Sequence, residues 1–169
     1  AGAHAGLHQH VDGGLLQDAR ADAAQHVVAG LALQNDGKVV AGGFNFVTRL
    51  DGTTGATDTT FSTGSGFNSS VFVVALDNSS PQRIIVGGAF TSYNGVTTNV
   101  NRLVRLSSTG ALDTAFGAAV GTTLNANVNT VAVYPGTVGV GNGGKIVLGG
   151  SFSGTARSSL TRLNDDGTV

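Results

Sequence analysis

The side chains best suited to chemistry are four histidines, His4, His8, His10 and His26, all within the first 26 residues. On a strand, residues two apart share a face, so His8 and His10 would point together, with Asp12 close by. An imidazole pair beside a carboxylate suits zinc or nickel. No fourth ligand stands at a telling spacing, so the plainer reading, an exposed and degenerate terminal segment, is preferred. Asp36-Gly37, Asp51-Gly52 and Asp165-Asp166-Gly167 invite calcium, which takes about six to eight oxygens. None offers the spaced Asp/Asn ladder of a calcium loop, and turn chemistry explains them better. Were calcium to bind, Asn164–Asp166 would be its richest cluster.

Nucleophilic and acid–base catalysis lack their parts. Ser and Thr are abundant, but there is no Gly-x-Ser-x-Gly elbow with a histidine downstream. The chain has no Glu, and its Asp residues fall mostly in turns, which leaves little for a paired-carboxylate glycosidase. Gly139–Gly144 runs into Lys145-Ile146 rather than the Lys-Ser/Thr of a phosphate loop, and reads as an enlarged hairpin turn. No enzyme and no cofactor is therefore expected. Asn68-Ser-Ser70 and Asn78-Ser-Ser80 fit the glycan acceptor pattern, which matters only in a glycosylating host.

The informative charges recur. Arg49, Arg105 and Arg162 stand 56 and 57 residues apart, each followed by Leu, and Asp58 and Asp113 stand 55 apart. A catalytic residue would occur once, so one set per unit points to a structural task. Each Arg is expected to pair with its own repeat's Asp, or with a neighbouring carbonyl at the edge of the unit.

The elements that must hold these residues are themselves repeated. Segments 28–44, 71–90 and 129–152 each give an apolar run, a turn, a second apolar run, two glycines and an aromatic. The pairs are Gly42-Gly43, Gly87-Gly88 and Gly149-Gly150, where a side chain would crowd a neighbouring sheet. Such a period marks a propeller or solenoid, whose units bury their apolar faces against one another. The spacing predicts an all-β chain of three propeller-like blades with about four antiparallel strands each. It would form a partial propeller, or one completed by self-association; a solenoid-like stack is the alternative. In the middle repeat the strands are expected at 71–76, 83–86, 100–106 and 111–116. The blades are assigned to 28–61, 62–116 and 117–169, the last incomplete, after a degenerate segment 1–27. Within that segment Leu7–Val11 reads as a leftover fourth strand able to complete the final blade, and 17–28 as a loop, with two helical turns as the alternative.

Composition agrees. Charged residues are 11% and the net charge is −1, which argues against a nucleic-acid partner. Few helix formers and 27 glycines favour strands and turns. There is no cysteine for a disulfide, no apolar run long enough to span a bilayer and no visible signal peptide. The absence of Met, even at position 1, suggests a processed or excised piece. Low charge with much Thr, Ser, Asn and Gly leans toward a bacterial exterior or cell surface.

The motifs LALQNDGKVVAGGF, GGKIVLGGSF, LVRLSSTGALDTAFG and LTRLNDDGTV resemble the delta-60 repeat family, a bacterial β-propeller type of mostly unknown function. The resemblance covers about residues 28–169 and is poor over 7–27, where His8 and His10 replace an expected Asp and small residue. It implies a propeller blade and no activity. Two expectations of function follow from the residues. One is a non-catalytic extracellular structural or adhesive repeat that self-associates into an oligomer or filament. The other is a module binding carbohydrate, or another ligand or matrix, through loop 91–101, with Tyr93 for stacking and Asn94, Asn99 and Asn101 for hydrogen bonds.

Overall fold

A computed structural model describes residues 27–153 and 158–169. Three antiparallel sheets follow one another along the chain. The first holds β1 (Val28–Leu33), β2 (Val39–Gly43) and β3 (Val47–Leu50). The second holds β4 (Val71–Leu76), β5 (Ile84–Gly88) and β6 (Leu103–Leu106), after which comes a short helix, α1 (Thr114–Val120). The third holds β7 (Val128–Val133), β8 (Ile146–Gly150) and β9 (Leu160–Leu163). The architecture is all-β, with three open sheets set as the blades of a partial propeller. The histidine segment, the strand expected at 7–11 and nearly all of 17–28 lie outside the described residues.

The register explains the repeat. Val28, Val71 and Val128 pair with Gly43, Gly88 and Gly150, and each sheet has a bulge one residue later. β1 lies beside β4, and β4 beside β7, so each sheet stacks on the next through its first strand. One core fills the first gap, with Val40 and Val47 meeting Val71, Val74, Val86 and Val104. A second fills the next gap, with Ile85 and Leu103 meeting Val128, Ile146, Leu148 and Leu163. Each sheet therefore presents one apolar face to the sheet before it and another to the sheet after it. The glycine pairs serve the two contacts separately. A Cβ on Gly42 would stand 2.6 Å from Val71 Cγ1, and one on Gly87 2.7 Å from Val128 Cγ1. The second glycines face carbonyls of their own sheets, Val27 at Gly43, Ser70 at Gly88 and Asn127 at Gly150.

Two details differ from expectation. The fourth strand shrinks to single bridges, Leu50–Thr57 and Leu106–Leu112. In the middle repeat the chain then turns into α1, because Asp113 accepts the Phe116 amide at 3.1 Å and the following Thr-Ala-Phe-Gly-Ala-Ala-Val has alanines to continue the turn. Asp58 instead closes a tighter turn through Thr60 N, two residues on, and Ser62-Thr63-Gly64 does not continue it as a helix. The aromatic of the first repeat is also displaced. Phe44 is 56% exposed, and Phe46 takes the place beside Gly43 that Phe90 holds beside Gly88 and Phe152 beside Gly150. Asn45, at φ 67°, absorbs the extra residue.

Candidate functional site

The recurring arginines form one device used twice. Arg49 faces Val40 across the β2–β3 ladder, and Arg105 faces Ile85 across β5–β6, so each guanidinium rises at the outer edge of its sheet. Both are buried. Arg49 Nε donates to Asp58 Oδ2 at 2.9 Å and Nη2 to Thr60 Oγ1 at 3.0 Å, with the group over the Phe61 ring at 5.1 Å. Arg105 Nε donates to Asp113 Oδ2 at 2.8 Å and stands 4.4 Å over the Phe116 ring. The third direction of each fork leaves its own repeat. Arg49 Nη1 donates to the Ser108 carbonyl at 2.5 Å, and Arg105 Nη1 to the Asp165 carbonyl. Ser108 and Asp165 each lie three residues beyond the next repeat's arginine. The planar guanidinium thus ties a sheet to its own turn and to the following sheet at once, which a lysine ammonium cannot do.

Arg162 has the same sequence setting and a different environment. It is exposed, and its side chain makes no hydrogen bond or ion pair among the described residues. The apolar positions around it follow suit. Leu160 is 48% exposed, whereas its counterparts Val47 and Leu103 are buried. At the opposite end of the stack, Leu31 is 65% exposed, whereas its counterpart Val74 is 6% exposed. Val28 and Leu33 are exposed on the same strand. Among the described residues, sheet 3 and sheet 1 therefore each carry an uncovered half of the interface that is filled twice inside the stack. These leucines are visible in the sequence, but nothing there separates them from their buried counterparts.

The carboxylates are tuned by the same contacts. Asp58 is held well below the usual carboxylate range, first by the Thr60 hydroxyl, then by Lys38 and the Thr60 amide, with Arg49 adding. For Asp113, burial acts upward as the largest single influence, but the Phe116 amide and Arg105 together outweigh it and lower the group. Asp51 is lowered by the amide and hydroxyl of Thr54. Groups lowered in the fold take up protons first in the unfolded chain, so the stability they contribute is present at neutral pH and lost as pH falls below about 4. Urea midpoints are expected to hold between pH 7 and 5 and to drop between pH 4 and 2, with a shallower drop for Asp58→Asn. A flat profile through acid would contradict this assignment.

Loop 91–101, where sugar binding is expected, is built otherwise. Tyr93 is buried, packs against Phe67 at 4.7 Å between ring centroids and donates from its hydroxyl to the Gly110 carbonyl at 2.5 Å. Burial raises its pKa. The only aromatic of 91–101 thus belongs to the core and offers no face to a sugar. Asn94 Oδ1 accepts from Ser65 N, and Asn101 Nδ2 donates to the Leu124 carbonyl at 2.7 Å. Asn94 and Asn99 hold left-handed turns at φ 48° and 59°. Clefts of about 510 and 440 Å³ flank this loop. The calcium cluster is engaged as well: Asp166 Oδ1 accepts from Thr168 N and Oγ1, and Asn164 Nδ2 donates to Thr168 Oγ1. Among the described residues no three His, Cys, Asp or Glu side chains converge, and no helix is long and apolar enough to cross a membrane.

Residues 83–116 and 144–169 match a family described as a domain of unknown function (DUF5122) beta-propeller. The two matched stretches hold β5 to the start of α1 and β8 to β9, the parts that carry Gly87-Gly88 and Gly149-Gly150 with Arg105 and Arg162. No curated protein and no solved structure matches the chain.

Proposed function

We propose that this chain is a delta-60-type structural repeat, non-catalytic and displayed outside the cell, whose work is to assemble with further copies of itself. The observation that carries the reading is the pair of uncovered apolar faces, Val28, Leu31 and Leu33 on sheet 1 and Leu160 on sheet 3. Apolar faces of this kind are left open where another surface is to cover them. The two faces differ, so copies would add head to tail, giving a ring where the rotation closes and a filament where it does not. The reading needs no cofactor and no nucleophile. Arg49 and Arg105 are spent on tying each sheet to its own turn and to the next sheet.

Light scattering on the purified chain is the test. Mass is expected to rise with concentration above that of one chain, and Leu31→Asp with Leu33→Asp to return it to one. Both side chains are exposed in the isolated stack, so the double variant is expected to keep its β spectrum. A single-chain mass at every concentration would defeat the proposal.

A further inference from the structure

The uncovered faces do not by themselves fix how two copies meet, but the interfaces inside the chain do. Within the stack the arginine of one sheet donates to the carbonyl three residues past the arginine of the next: Arg49 to Ser108, and Arg105 to Asp165. Applied once more, that rule gives Arg162 a carbonyl three residues past the arginine of a first sheet, and that residue is Gly52. Gly52 is exposed, and among the described residues no donor reaches its carbonyl. The geometry points to a head-to-tail joint in which Arg162 donates to the Gly52 carbonyl of a second copy.

The apolar contacts repeat with the same offset. Val71 fills the space over Gly42, and Val128 the space over Gly87. Over Gly149 the close described side chain is Thr130 of its own sheet, and the residue in register with Val71 and Val128 is Val28. Val28 of a second copy therefore seats on Gly149, as Leu160 comes to occupy the buried place that Val47 and Leu103 hold. This joint continues an interface the chain already makes twice, which is why a second copy is its occupant. A two-fold contact between two sheet-1 faces would leave Arg162 and Leu160 uncovered. The inference rests on the self-association reading and adds its register.

The chain has no cysteine, which makes cross-linking clean. Val73 and Val128 both stand within 3 Å of a Cβ on Gly87, and Thr130 and Val28 are their counterparts across the joint. Carrying Val28→Cys and Thr130→Cys together, the chain is expected to give a ladder of covalent oligomers on oxidation. The two single variants are expected to link only when mixed. Arg162→Ala is expected to weaken association about tenfold or more while leaving the melting temperature of the dilute single chain unchanged. If oligomers form, but a single variant links to itself or Arg162→Ala associates as well as the parent, this joint is overturned and self-association survives. If no oligomer forms at any concentration, both fall together.

Discussion

Gly88→Ala is expected to destabilise the chain by about 3 kcal/mol, and Gly87→Ala by about half of that, although the two residues are neighbours on one strand. The difference lies in what each new methyl meets. At position 87 it would stand 2.7 Å from Val128 Cγ1 and 2.9 Å from Val73 Cγ1, side-chain methyl groups that must move but are not pinned by backbone hydrogen bonds. At position 88 it would press on the Ser70 carbonyl oxygen, with Val71 Cα at 3.0 Å. That is backbone held by the ladder, where Ala89 N donates to the same Ser70 carbonyl at 2.9 Å. Relief requires β4 and β5 to part at their ends, which loosens Val71 from the first core and Phe90 with it. Urea denaturation of the two variants measures the order directly. Equal losses, or the larger loss at position 87, would show that the sheet-to-sheet gap and not the strand pairing sets the tolerance.

That contrast marks how far the sequence could be read. The glycine pairs, the apolar runs and the arginine spacing were legible because each obeys a local rule repeated with a common offset, and repetition turns three weak signals into one strong one. Hence three successive blades could be expected from 28–169, although with about four strands each where three form. The partner of Arg49 was only half legible. Asp58 carries a side-chain signature nine residues away, whereas the Ser108 carbonyl 59 residues away is backbone and has none. Position 44 misled because Gly-Gly-Phe-Asn-Phe offers two aromatics and only the left-handed turn at Asn45 decides which ring turns inward. Tyr93 misled for a related reason: a tyrosine among polar loop residues reads as exposed, but the loop folds back over Phe67 and Phe90 and its hydroxyl finds a carbonyl inside. The fourth strand failed where one aspartate could cap a helix as readily as end a strand, and the alanines after it settled the matter.

Arg105→Ala is expected to cost about 3 kcal/mol, while Arg162→Ala in the single chain costs next to nothing. The two arginines stand at equivalent positions of the same motif, so residue type and local sequence cannot separate them. Partners do. Removing the Arg105 guanidinium leaves Asp113 without its cation, uncovers the Phe116 ring and frees the Asp165 carbonyl, three losses at once in a largely buried place. For a chain of this length the melting temperature would fall by roughly 6–12 °C. Arg105→Lys is expected to recover less than half, since an ammonium restores the charge beside Asp113 but cannot also cover the ring and reach the neighbouring sheet. Asp113→Asn, combined with Arg105→Ala in a double-mutant cycle, isolates the ion pair from the inter-sheet bond, which stays in the single Asp113 variant. Should Arg105→Ala prove as harmless as Arg162→Ala, the guanidinium fork would be ornament at the blade edge and the apolar cores alone would hold the sheets in register.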